Sequence, residues 1–117
     1  MVWCSVMAGG ALGSAARYAI SLGLNPAPAS GLPWGTLAAN VLGCLLIGWL
    51  SHVLGGASEV VRLGILVGVL GGFTTFSSFG LETIRLVEAG QLSAAAIYVV
   101  VSNLGGLAGA WIGWRIG

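Results

Sequence analysis

Apolar residues fill this chain in four long runs, 2–23, 34–54, 59–90 and 92–116, parted by short polar or glycine-rich connections. About 20 apolar residues in a helix cross the hydrocarbon core of a bilayer. Each run is at least that long, so the pattern predicts an all-α membrane protein with four transmembrane helices in one domain, residues 1–117. The clearest connection is Asn25–Pro33, which holds all three prolines and is expected to be a loop. Ser58 is placed to cap the third run, with Glu59 in its first turn. That run is longer than one span needs. Within it lies Gly71-Gly72-Phe73-Thr74-Thr75-Phe76-Ser77-Ser78-Phe79-Gly80. Two glycines lower helix propensity and two threonines add β-branching, so an interruption of the third helix is expected near Gly71–Thr75. If the segment beyond it is helical, Phe73, Phe76 and Phe79 recur along one side.

Composition sharpens the class. The chain is 57% hydrophobic and 6% charged, with a mean hydropathy of +1.02. Soluble domains carry about 25% charged residues, so this chain has too few to cover a water-facing surface. It holds 21 glycines, which in lipid let helix backbones approach closely. Gly9 and Gly13, Ala39 and Gly43, then Gly64, Gly68 and Gly72, and Gly105, Gly109, Gly113 and Gly117 repeat at spacing four. Such ridges need partners, and four thin helices enclose little, so an oligomer is expected. The first run lacks a leading Lys or Arg and is read as a retained helix, not a cleaved signal peptide.

Charge excludes some functions and suggests an arrangement. A net charge of +1 argues against nucleic acid and polybasic lipid targeting. Arg62 and Arg115 fall near the side of the membrane that holds both termini, and Arg17 and Arg85 near the other. The positive-inside rule therefore selects no orientation. Opposed copies that insert both ways would pair about an axis in the membrane plane, a symmetry usually built by inverted repeats. The hypothesis is an antiparallel, dual-topology homodimer.

No enzyme constellation emerges: there is no Ser/His/Asp set, no P-loop and no pair of facing carboxylates. Cys4 and Cys44 lack metal-ligand spacing, and with a single histidine a zinc site has too few ligands, so both cysteines read as small apolar packing residues. What remains is uncharged and polar: Asn40, Thr74, Thr75, Ser77, Ser78, Ser102 and Asn103. Serine and threonine often bond back to their own helix; Asn40 or Asn103 is either interhelical glue or a ligand donor. Hydroxyl and amide donors without a central charge suit a small anion that must enter and leave. The positive edges of phenyl rings suit an anion too, whereas opened carbonyls at the break suit a cation.

The stretch Gly71–Phe79 resembles the signature of the Fluc (CrcB) fluoride channels, and the likeness extends over the whole chain. Ala15-Ala16-Arg17-Tyr18, Ala39-Asn40-Val41-Leu42-Gly43 and the pair Ser102-Asn103 share it. The resemblance implies a dual-topology, antiparallel homodimer with two fluoride pores and a central, structural sodium ion at the dimer interface. By that likeness Phe76 and Phe79 are the pore phenylalanines, Asn40 the pore amide, and Ser77, Ser78 and Ser102 the hydroxyl track. Tyr98 matches a pore-lining tyrosine, Arg17 a vestibule cation and Glu82 a carboxylate near a pore end. Gly71 and Thr74 match the positions whose backbone carbonyls hold sodium. Gly106 departs from relatives that extend the track with Ser or Thr.

The expected function is passive, fluoride-selective export from the cytoplasm, in a multi-pass protein of a prokaryotic inner membrane. Two other readings compete. A proton-coupled small multidrug-type transporter has similar size, but needs a carboxylate in its first helix, and residues 2–23 hold no Asp or Glu. A non-transporting membrane assembly subunit would use the same polar and glycine residues for packing alone.

Overall fold

A computed structural model describes residues 1–25 and 31–117. Most of the predicted loop, residues 26–30, lies outside the described residues. Among those described there is helix and no strand. Helix α1 spans Val2–Leu24 and α2 spans Trp34–Val53. The third run divides into α3 (Glu59–Leu63), a π-helical stretch Gly64–Val69, α4 (Leu70–Phe73) and α5 (Ser77–Glu88). The last helix, α6, spans Leu92–Ile116. Three of these helical runs, Trp34–Val53, Glu59–Glu88 and Leu92–Ile116, are long and apolar enough to cross a membrane. Helix α1 is as long, 23 residues, but Arg17, Tyr18, four glycines and three serines dilute it.

The caps follow the sequence. The Ser58 hydroxyl accepts the Val61 N–H at 3.4 Å as α3 begins. Gly90 ends α5 with a φ of 75°, a backbone region that L side chains rarely adopt. The chain then turns back, and α6 runs antiparallel to α5.

Glycine ridges set the packing, and they do so inside one chain. Each glycine of the α6 ridge sits against α2: a Cβ at Gly109 would lie 3.1 Å from the Val41 carbonyl, and one at Gly113 would overlap the Leu45 carbonyl. Contacts advance together along α2 and α6, so these two helices run parallel. The same holds for α1 and the third run, where a Cβ at Gly9 would overlap the Gly64 carbonyl and one at Gly13 the Val69 carbonyl. In a regular α-helix, residues four apart drift by about 40° per step around the axis. The wider π-helical turn, closing i→i+5 bonds, reduces that drift and keeps Gly64 and Gly68 buried against α1. The expectation that these ridges await an oligomeric partner is therefore corrected: the partner is a neighbouring helix of the same chain.

The interruption falls at the far end of the expected stretch Gly71–Thr75, over Thr74–Phe76. Gly71 and Gly72 remain helical, and the chain leaves the helix at Thr74, whose φ of −88° and ψ of 156° are extended. A Cβ on Gly72 would lie 3.1 Å from the Gly10 Cα and the Ser14 nitrogen. Gly72 thus serves close approach to α1, whereas a Cβ on Gly71 would meet nothing within 4 Å, and the helix ends two residues after Gly72.

Candidate functional site

The break opens a cavity of about 320 Å³ between α2, the end of α4 and α6, bordered among others by Asn40, Gly71, Thr74, Phe76, Phe79 and Ser102. Of the residues predicted to carry function, these six meet there. Thr75, Asn103, Cys44, Gly43, Leu70 and Ile47 complete the border. Its walls are largely apolar, with polar atoms at a few points, the usual composition of a ligand pocket.

Asn40 anchors the site. Its Nδ2 donates to the Thr75 carbonyl at 2.9 Å, and its Oδ1 accepts the Thr75 N–H at 2.7 Å. One amide therefore satisfies both backbone groups of a residue that has left the helix. One N–H of the Asn40 amide remains beyond these two bonds. The Thr75 hydroxyl accepts the Ser78 N–H at 3.1 Å, which caps α5, and lies 3.3 Å from the Ser77 hydroxyl. Thr74 bonds back to the Leu70 carbonyl at 2.9 Å.

The three phenylalanines separate at the break. Phe73 and Phe79 are 7% and 9% exposed, whereas Phe76 is 81% exposed. The Phe76 and Phe79 rings stand 5.5 Å apart, tilted by 43°, and Phe79 meets Tyr98 at 5.2 Å. The expected single row does not form, because Thr74–Phe76 are not helical. Ser102 presents a hydroxyl oxygen that is sealed from the surface and has no hydrogen-bond partner among the described residues. Asn103 spends its Nδ2 on the Val99 carbonyl at 2.7 Å, which places it with the self-satisfied polar residues.

Other predicted residues lie outside the cavity border. Glu82 is held by two hydroxyls, Thr36 Oγ1 at 2.8 Å and Tyr98 Oη at 2.6 Å. Tyr98 is wholly buried and Thr36 2% exposed, so both bonds lie in a sheltered setting. Arg17 Nε donates to the Gly72 carbonyl at 3.2 Å. Ser77 is exposed and Ser78 partly buried at the start of α5. Among the described residues no group of His, Cys, Asp and Glu could hold a metal ion.

A family described as CrcB-like protein, Camphor Resistance (CrcB), matches residues 4–114. The chain belongs to the CrcB family. It is 41% identical to a protein of Agrobacterium fabrum over 115 residues, 96% of this chain and 92% of the relative. A Pseudomonas fluorescens relative is 45% identical, covering 93% of this chain and 90% of its own length. One from Thermus thermophilus is 43% identical, covering 96% and 90%. All three relatives carry the name fluoride-specific ion channel FluC.

In this CrcB chain, two participants escape a reading of the sequence alone. Thr36 stands four residues before Asn40 and so shares its face of α2, a spacing that offered a signal. Cys44, one turn beyond Asn40, borders the cavity because Gly106 leaves it room: a Cβ there would lie 3.4 Å from the Cys44 sulfur. The space that Gly106 leaves is not visible in the sequence.

Proposed function

We propose that this CrcB protein is a passive fluoride channel that lets the anion leave the cytoplasm down its gradient. The observation that carries the reading is the cavity at the break. It brings the Asn40 amide, the unpartnered Ser102 hydroxyl and the Phe76–Phe79 pair together, with no charged side chain on its border. Hydroxyl and amide donors replace part of a small anion's hydration, and ring edges add positive potential without a fixed charge that would trap it. Membership of the CrcB family and the name of the relatives support the same choice of ion. Undissociated HF crosses lipid, dissociates in a near-neutral cytoplasm and leaves fluoride to be exported.

The proposal includes four spans per chain, with α1 crossing beside the third run, and an antiparallel homodimer of dual topology. An 81% exposed Phe76 bordering an open cavity supports a covering second copy. It also includes a structural sodium ion on the Gly71 and Thr74 carbonyls. The Gly71 carbonyl's helical donor would be the Thr75 N–H, which Asn40 takes, and both residues border the cavity. Neutral oxygen donors of this kind fit a hard monovalent cation, which would supply a fixed positive charge near the anion path. The multidrug-type alternative lacks its essential acid in α1.

Fluoride efflux from liposomes holding the purified protein tests the function. Rapid efflux, halted by the membrane potential it builds when no counter-ion can follow, is the expected result. Efflux that requires a proton gradient, or none beyond empty liposomes, overturns it.

A further inference from the structure

We propose that Arg17 is a positioning residue for the helix break. Its guanidinium holds the Gly72 carbonyl against α1, so that the carbonyls of Gly71 and Thr74 are the ones left to the cavity. What those two carbonyls then do rests on the channel reading above; the clamp itself does not.

A helix end leaves its last carbonyls without donors, and three successive carbonyls before this break can be followed. Leu70 keeps the Thr74 N–H at 3.0 Å. Gly71 would need the Thr75 N–H, which goes to Asn40 Oδ1 at 2.7 Å. Gly72 would need the N–H of Phe76, beyond the break. Its carbonyl instead accepts Arg17 Nε at 3.2 Å, and the Ser14 hydroxyl approaches the same oxygen at 3.5 Å. Both donors come from α1, one turn apart.

The backbones are close enough for this because Gly72 has no side chain; a Cβ there would meet Gly10 and Ser14 of α1. The cavity border is consistent with the division. Gly71, Thr74 and Thr75 lie on it, whereas Gly72 and Phe73 do not. Arginine suits the task for two reasons. The C-terminal end of a helix carries partial negative charge, and Nε–H is a donor fixed part-way along the side chain that lysine lacks. Arg17 and Asn40 thus hold the break from opposite neighbours, one on the carbonyl before it and one on the residue within it.

Solid-state NMR on the wild-type protein in lipid reads the clamp directly. Gly72-Phe73 is the single Gly-Phe pair in the sequence, so ¹³C-carbonyl glycine with ¹⁵N-phenylalanine isolates the Gly72 carbonyl. Dephasing of that signal by ¹⁵Nε-labelled arginine is expected; its absence overturns the proposal whatever the flux. In Arg17→Lys, which keeps the charge, the Gly72 carbonyl resonance should shift and fluoride flux should fall about tenfold, the scale of a lost charge-assisted hydrogen bond. Arg17→Lys with an unmoved Gly72 resonance and wild-type flux, beside an impaired Arg17→Gln, makes Arg17 a source of charge only and overturns the clamp. Should Arg17→Lys fail to assemble, the wild-type dephasing alone decides. A wild-type protein that shows the dephasing and no fluoride flux keeps the clamp and removes the channel reading.

Discussion

At residue 76 a phenyl ring stands 81% exposed, while three residues on the Phe79 ring is buried against Tyr98. The two positions therefore answer differently to the same substitution. Phe79→Ile is a roughly volume-conserving change in a packed site and should cost less than about 1.5 kcal/mol of stability. Phe76→Ile touches little within the chain and should cost nothing measurable in the folding of one protomer. If ring edges attract the anion, both variants lose flux by at least about tenfold, or about 1.4 kcal/mol of barrier. Flux from liposomes beside size-exclusion profiles separates the two effects, and near-normal flux in both variants would return the pair to packing. Phe73, 7% exposed and off the cavity border, serves as the control whose Ile variant loses stability before selectivity. The Glu82 carboxylate gives a second residue-scale test. Tyr98→Phe removes one of its two hydroxyl donors, and a sheltered acceptor that loses its partner costs about 1–3 kcal/mol. In a Glu82→Gln background the same change should cost less, and a thermal-stability double-mutant cycle reads the difference.

The break illustrates what an element inherits from its neighbours. Glycine and threonine propensities point to an interruption in the third run, and one is present. Its position depends on information that local sequence does not hold. Gly72 is kept helical by its fit on Gly10, and Thr75 is drawn out by the amide of Asn40, 35 positions earlier. The same limit hid the π-helical turn at Gly64–Val69, since nothing in Gly-Ile-Leu-Val-Gly-Val distinguishes it from an α-helix without α1 beside it. Glycine spacing, by contrast, was legible, and so were the helical runs and the Ser58 cap. Among the cavity residues, Asn40 and Ser102 stand out in the sequence because such polar groups are unusual in lipid, whereas Cys44 does not, since only a vacant neighbour brings it to the border. A pair of substitutions separates the two glycines. Nothing lies within 4 Å of a Cβ placed on Gly71, whereas one on Gly72 runs into α1. Gly72→Ala should therefore lower stability by about 1–3 kcal/mol, the usual cost of overpacking, and Gly71→Ala should leave it unchanged. Both should lower flux more than Thr74→Ser, which retains the carbonyl and the hydroxyl. If Thr74→Ser proves as damaging as either, the side chain and not the backbone carries that position. Asn40→Asp should be worse than its small change in size suggests, because it turns an oxygen toward the Thr75 carbonyl that Nδ2 now bonds.

On the scale of the molecule, the principal extents are 48 × 29 × 19 Å. Helices with their side chains are about 10–12 Å across, so the thinnest direction holds no more than two layers. The glycine ridges are consumed within this slab, α6 on α2 and the third run on α1. In the proposed dimer a second copy would cover the break, with exposed Phe76 and the open side of the cavity. A copy inverted in the membrane would bring two breaks together at mid-depth, where helix interruptions are tolerated only when protein or a water-lined cavity surrounds them. Such pairing requires that both orientations be made. Arg62 and Arg115 near the end that holds the termini, against Arg17 and Arg85 toward the other, give the translocation machinery no bias. Gly56 offers a clean reporter: it is exposed in the α2–α3 connection, and a Cβ there meets nothing within 4 Å. With Cys4 and Cys44 replaced by alanine, Gly56→Cys should react with an impermeant thiol reagent to about half when the reagent is outside sealed cells, and the remainder should react once the membrane is opened. Adding two lysines beside Gly56 should drive that end to the cytoplasm and abolish the outside fraction. It should also abolish flux, which co-expression with a copy biased the opposite way should restore. Labelling from one side alone in the starting protein, or full flux from a population fixed in one orientation, would exclude the antiparallel dimer.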